Sequence, residues 1–478
     1  MVIRGWMRWL WIMFVVLATT AATCDPSRRI HSVPVPPVSS SDPSPLSAGV
    51  ATVVLRLPQG TPLAGYGSLN RRRLPPDIIP GNGFTNFKPA TGTIDPPYAK
   101  ALVMKNDTAL IGIVTVDAVG ILGELVDLIH AKATKLGSHI ARDSLVVSAS
   151  HTHSGPGSQT NLKFWELAGT DELFKPLRDS FVDDCANALF AAENSLAPAK
   201  FGAASEPLAN VTRNRRVGVS PYVTATDVDE ELGVIRIDRM NGAPLALLWN
   251  FAVHGTAYGD GNLRFSADIM GAVSSAVESR LSLTALFANG AEGDTAPNGS
   301  GAAGIAALAP IVTEKIAMIY SGIVTSPTMT LQCVSKVEKF GKAALDLSLS
   351  RLTAGSANLD FATLRATALP LGDVVFKMGP TWFENDFRFQ AIRMNDTLLV
   401  PIPGEPIFVV GRAMKRYGLG LGFTRVFIFS LSNGHMAYIT DEAEYKVGGY
   451  EGIATFFGPH TADKVRSAAM IQMDLLKP

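Results

Sequence analysis

Ser144–Ser158 reads SLVVSASHTHSGPGS. SLVVSAS is apolar and β-branched enough for a buried strand, and Ser-Gly-Pro-Gly is a sharp loop that stops it. His151 and His153 follow directly on that strand. In extended backbone, residues two apart share a face, so both imidazoles are expected to face one site at a sheet's end. The competing reading is a pair of solvated loop histidines. The chain holds only eight histidines in 478 residues, which makes their placement informative.

Outward from this stretch, strand and helix patterns alternate. Ala109–Val119 (ALIGIVTVDAV) is a continuous apolar run and predicts a buried strand. Helical periods follow over Glu124–Leu136 and Glu172–Leu196. Leu232–Asp238 and Leu245–Val253 predict two strands around Asn241-Gly242, a hairpin signal. Asp268–Leu281 and Ile305–Ile323 predict helices, with a short strand at Thr284–Ala288 between them. Further strands are expected at Ala391–Arg393, Thr397–Ile402 and Arg425–Leu431, and a last helix from Thr461. The pattern predicts an α/β fold, with α+β as its variant. It is expected to be one large domain of buried mixed β-sheets flanked by helices, spanning 50–478. No fixed-period repeat or internal low-complexity linker divides it.

The N-terminus reads as an export signal. Arg4 and Arg8 precede an uncharged run, Trp9–Thr23, too short for the roughly 20 residues of a membrane span but suited to a signal-peptide core. The expected signal peptide is 1–23. Cleavage at its small residues competes with lipidation of Cys24, so the product is expected to be periplasmic, secreted or lipid-anchored. Residues 24–49 contain SVPVPPVSSSDPSPLS and predict a flexible tether. No second span of eighteen apolar residues is evident downstream. Lys plus Arg and Asp plus Glu both number 42, so the chain lacks the basic footprint of a nucleic-acid binder. Apart from Cys24 there are two cysteines, Cys185 and Cys333. They either pair in an oxidising compartment or remain two buried thiols.

Three further segments carry chemistry. LLWNFAVHGTAYG (Leu247–Gly259) ends a buried strand in His254, and neutral imidazole is a common zinc ligand. TLLVPIPGEPIFVVGRAMKR (Thr397–Arg416) puts Glu405 between a strand and a helix, either as a metal ligand or as a charge favouring the helix N-terminus. SNGHMAYITDEAEYKVGGYEGIATFFGPHTADK (Ser432–Lys464) gathers Tyr438, Tyr445, Tyr450, Glu451 and His460, and the spacing does not choose among them. There is no HExxH helix motif of the kind that marks a metallopeptidase.

HTHSGPG, the VHGT segment, GDTAPN, PGE and above all YEGIATFFGPHT resemble, in this order, the neutral non-lysosomal ceramidases. Gly65-Tyr66-Gly67 and DVDEELGVIRID resemble further segments of that family. The resemblance implies an exported zinc-dependent amidohydrolase acting on ceramide or a related N-acyl lipid, with peripheral membrane contact. It implies zinc on His151, His254, Glu405 and Tyr438, with Tyr450 as a second active-site tyrosine. His153 would contact the scissile amide. Arg215, in ANVTRNRR, would meet the substrate carbonyl, with Arg213 and Arg216 as the other candidates. Two imidazoles, a carboxylate and a phenol suit zinc, which takes such N and O ligands at roughly 2.0–2.2 Å.

The chain departs from the family at two points. The family's serine nucleophile falls on Ala296, which has no hydroxyl, so water activated by zinc is expected to attack, with no covalent acyl-enzyme. The chain is also expected to lack the family's immunoglobulin-like C-terminal domain. The alternatives are a non-catalytic, zinc-containing lipid-binding relative and a hydrolase of a different amide or ester.

Overall fold

A computed structural model describes residues 42–73, 85–347 and 375–478. The expected signal peptide, Cys24 and the tether up to residue 41 lie outside the described residues. Strand pairing starts at Ser44, ahead of the expected start near Val50: Ser44–Pro45 pairs with Thr328–Met329.

One sheet has eight strands. In chain order they are β1 (Ser47–Val54), β2 (Tyr98–Lys105), β3 (Leu110–Val116), β4 (Leu145–Ala149), β5 (Ala197–Pro207), β6 (Glu231–Arg239), β7 (Pro244–Phe251) and β8 (Thr284–Asn289). Their spatial order is β8-β7-β6-β5-β1-β2-β3-β4. The β3–β4 and β7–β8 pairs are parallel, and the rest are antiparallel. A second sheet runs β9 (Leu331–Lys339), β10 (Asp386–Met394), β11 (Thr397–Pro401) and β12 (Arg425–Phe429), with β11 and β12 parallel. The Asn241-Gly242 turn is present between β6 and β7, with Gly242 at φ 84°.

Side-chain alternation along the strands builds four layers. Val103, Val114 and Val147 face helices α1 (Gly123–Leu136) and α2 (Lys175–Asn194). Met104, Ile113 and Val146, one residue out of phase, meet Ile392, Leu399 and Phe427 of the second sheet. Leu247, Trp249 and Phe287 face helices α3 (Asp268–Leu281) and α4 (Gly301–Gly322). The far face of the second sheet, with Phe389, Val400 and Ile428, is covered by α5 (Phe408–Gly420) and α6 (Thr461–Asp474). The architecture is helices, sheet, sheet, helices, and the expected α/β class with mixed buried sheets holds.

Two expectations are corrected. Helix α4 is long and apolar enough to cross a membrane by length and composition, with a mean hydropathy of 1.6. One face of it, with Leu308, Val312 and Ile316, packs into the core against Trp249 and Phe287, while Ile311 and Met318 are exposed. Cys185 and Cys333 are both free. Cys185 is buried in the core under α1 and α2, whereas Cys333 is only partly buried at the core between the sheets, so the pairing alternative does not hold.

Asn289, at the end of β8, ties four strand ends together. Its side-chain oxygen accepts from Val253 N at 3.0 Å, and its amide donates to Ser150 O at 3.2 Å and Val253 O at 2.8 Å. Its carbonyl accepts from Ser430 N, just past β12, at 3.0 Å. Asn289→Ala strands those three buried side-chain partners and is expected to cost about 3 kcal/mol. A fall in the urea midpoint at unchanged slope would measure it; an unchanged midpoint would show the stitch to be dispensable.

Candidate metal centre

The chemistry-bearing residues gather just past the C-terminal ends of the parallel strand pairs. His151 follows β4, but at φ 67° its backbone is left-handed and not the extended chain expected. The rings converge by another route. Thr152 forms a parallel bridge with Gly255, and His153 N donates to Gly255 O at 2.9 Å. A Cβ on Gly255 would stand 2.3 Å from His151 O, so only glycine permits this approach. His151 Nε2 then lies 2.9 Å from His254 Nε2 and 3.3 Å from His153 Nε2. All three rings are buried, which sets aside the solvated-loop reading.

The segments that follow β11 and β12 supply oxygen. Glu405 and Tyr438 are register partners in a short parallel bridge, so their side chains arrive side by side. Glu405 Oε2 is 3.2 Å from His151 Nε2 and 3.6 Å from His254 Nε2. Tyr438 Oη is 3.2 Å from His254 Nε2. The capping alternative for Glu405 fails, because Asp294 Oδ1 takes the first N–H of α5, from Phe408, at 2.8 Å.

The tautomers follow from the outer hydrogen bonds. His151 Nδ1 meets Val119 O at 2.6 Å, and His254 Nδ1 meets Glu292 O at 3.0 Å. A carbonyl only accepts, so both Nδ1 atoms carry hydrogen, and in the neutral rings both Nε2 lone pairs face one another. Burial, then Arg215, holds His254 well below the usual imidazole range. Burial, then His151, does the same to His153. At His151 burial is outweighed by Glu405, which draws positive charge onto that ring. At Glu405 burial is in turn outweighed by His151, and its carboxyl falls to about 2. Lone pairs on two nitrogens, a carboxylate and a phenol converge on one point that calls for a cation, and the donor set suits zinc.

Arginine chemistry closes one side. Arg215 Nη2 donates to Tyr438 Oη at 2.8 Å and Gly293 O at 2.9 Å, and its Nε donates to Glu451 Oε1 at 2.7 Å. Of the three arginine candidates, Arg215 is the one at the site. Arg213 is exposed and donates to Pro297 O. Arg216 is fully buried and paired with Glu444 and Glu451, both at 2.6 Å. Burial raises Tyr438 well above the usual phenol range, and the Arg215 charge opposes this. Tyr450 packs edge-on against Tyr438, ring centres 5.4 Å apart. Ala296 sits in the strip Thr295–Pro297, opposite Arg213, and the backbone carbonyl of Thr295 accepts from His254 N at 3.1 Å.

Residues 82–311 and 356–467, together well over half of the chain, match the family described as neutral/alkaline non-lysosomal ceramidase, N-terminal. The chain belongs to that family. Neutral ceramidase B of Dictyostelium discoideum is 22% identical over 431 residues, covering 66% of this chain and 58% of that protein. The neutral ceramidase of Pseudomonas aeruginosa is 23% identical over 411 residues, covering 71% of this chain and 61% of that protein. This chain therefore spans about 60% of the length of these relatives. The crystal structure of the Pseudomonas enzyme superposes with a TM-score of 0.75 at 20% identity, over 91% of this chain and 75% of that one. The ceramidase fold is thus shared.

Within this ceramidase-family site, Glu292 and His435 escaped the sequence reading, and Glu451 was named there without a role. Glu292 is buried in the run before Ala296. His435 lies three residues before Tyr438, with Nε2 3.7 Å from Glu405 Oε1 and its ring 4.4 Å from Trp165. Glu451 had been noticed but not chosen, and it proves to be the carboxylate that holds both Arg215 and Arg216. His460 is exposed, with Nδ1 3.3 Å from Asp463 Oδ2. Gly255→Ala is expected to push the His151 and His254 segments apart. Metal affinity, read by competition with a chromophoric chelator, should fall at least about tenfold. Wild-type affinity would show that the close approach does not set the ring geometry.

Proposed function

We propose that the chain is an exported, zinc-dependent amidohydrolase that cleaves the amide of ceramide or a related N-acyl lipid. The observation that carries this is the convergence of the His151 and His254 Nε2 atoms with Glu405 Oε2 and Tyr438 Oη, all within 3.6 Å contacts. When bound, zinc polarises a carbonyl and brings the pKa of a coordinated water toward about 7.

The protein's own residues supply the rest. Val119 O and Glu292 O fix the two ring orientations. His153, kept neutral by burial, stands next to His151 to hydrogen-bond the scissile amide. Arg215, locked through Nε and Nη2, keeps Nη1 for the developing oxyanion; donors of this kind are worth roughly 3 kcal/mol each. Ala296 has no nucleophilic atom, so the attacking oxygen comes from water. A cavity of about 70 Å³ lined by Asp95, Lys100, Asp117, Met270 and Phe287 is too small for an acyl chain, and it is not the substrate's seat. Export rests on Arg4, Arg8 and the uncharged run Trp9–Thr23.

Ala296 also favours a second reading, a relative that keeps zinc but binds lipid without turnover. The two separate in one experiment. Purified protein should carry stoichiometric zinc and hydrolyse a fluorogenic short-chain ceramide, and His151→Ala should abolish both. Thr295→Ala should keep activity within about threefold, since water and not a hydroxyl attacks. Zinc without turnover of any amide or ester in a broad panel would establish the lipid-binding reading. An acyl group trapped on Thr295 would refute the water route.

A further inference from the structure

Glu292 is completely buried, and none of the steps above uses its carboxylate. Its position is fixed from both sides. The Glu292 carbonyl orients His254, and the next residue, Gly293, donates from N to Pro406 O at 3.0 Å, beside Glu405. One carboxylate oxygen, Oε2, accepts from Ser430 Oγ at 2.5 Å. The other, Oε1, has no hydrogen-bond partner. Glu405 Oε2 likewise accepts no hydrogen bond, although it touches the His151 ring. A carboxylate oxygen of Glu292, one of Glu405 and a ring nitrogen of His151 all lie within 4.8 Å of one another.

A buried carboxylate oxygen without a donor is costly, and two of them facing the same imidazole are worse. Apart from the candidate ligands His151 and Tyr438, no side chain among the described residues brings a donor to them. Arg215 Nε and Nη2 are committed to Glu451, Gly293 and Tyr438, and Ser430 already serves the far oxygen of Glu292. The missing partner is one positive charge placed between the carboxylates and the rings.

We propose that Glu292 is a further metal ligand, a second carboxylate on the ion beside Glu405. This rests on the metal-centre reading above. The ion then sees two imidazoles, two carboxylates and the Tyr438 phenol, a site of five donors and not four. Two carboxylates balance a divalent charge without help from the phenol, and they make the site more hospitable to harder divalent ions.

The test uses the full chain and the isosteric variant Glu292→Gln, which keeps an oxygen for Ser430. Zinc affinity by chelator competition should fall about ten- to a hundredfold. In cobalt-substituted protein, visible absorption should be weak in the wild type, as for five protein donors and a water, and stronger in Glu292→Gln, as for four protein donors and a water. Metal-free Glu292→Gln should melt at or above metal-free wild type, because the bond from Ser430 is kept and no other protein donor is lost, while the gain in melting temperature on adding zinc shrinks. Wild-type zinc affinity with an unchanged cobalt spectrum overturns the proposal. So does an equal loss of stability with and without zinc, which marks a purely structural residue. If the variant does not fold, the wild-type cobalt spectrum decides alone, and a strong four-coordinate spectrum overturns the proposal. Wild-type protein that takes up no divalent ion at all overturns the metal centre itself, and this ligand with it.

Discussion

Two carbonyl groups govern the centre of this molecule. Val119 O and Glu292 O each take the Nδ1 hydrogen of a buried histidine, and so turn the two Nε2 lone pairs toward each other at 2.9 Å. That arrangement is unfavourable unless a positive charge lies between the rings. Everything around it serves either to hold the rings there or to supply further electron pairs. Glu405 and Tyr438 come in register from one short bridge, and Arg215 holds the phenol in place from behind.

The layered fold explains how residues from distant parts of the chain meet. Both sheets end their parallel strands at the same edge, and buried asparagines stitch that edge. Asn250 donates to Ala288 O and Ile428 O, both at 2.8 Å, and so joins the two sheets through one side chain. Asn433 accepts from Val147 N at 3.0 Å and does the same from the other side. A polar side chain in such a place is tolerated because each of its bonds satisfies backbone that the strand ends leave open.

Much of the fold was legible in the sequence. The strands that carry His151 and His254 are continuous apolar runs, and they were read within a residue or two of their ends. Ser47–Val54 and Tyr98–Lys105 went unread although they carry apolar residues, and two other unread strands lack that signal. Ala197–Pro207 (APAKFGAASEP) is built from small residues with a proline at each side, and Leu331–Lys339 is half exposed and alternates weakly. Asp386–Met394 was recognised only at its apolar end. At the site, the histidines were visible as strand-terminal residues. The residues that position them were not, because a backbone carbonyl has no sequence signature. Glu292 was hidden for a related reason: it has the same letter as any surface glutamate, and only the folded chain shows that it is dry. His151 reached the right place by a left-handed turn where an extended segment was expected.

The origin of the ligands also bears on cohesion. His151 and His254 follow strands of the larger sheet, whereas Glu405 and Tyr438 pair in a short bridge that follows β11 and β12 of the smaller one. An ion held by all four works as a clasp across the seam of the sandwich. Without it, the shared rim would rest on bonds such as those of Asn250 and Asn433, so the ion would add cohesion at the edge where the two sheets meet.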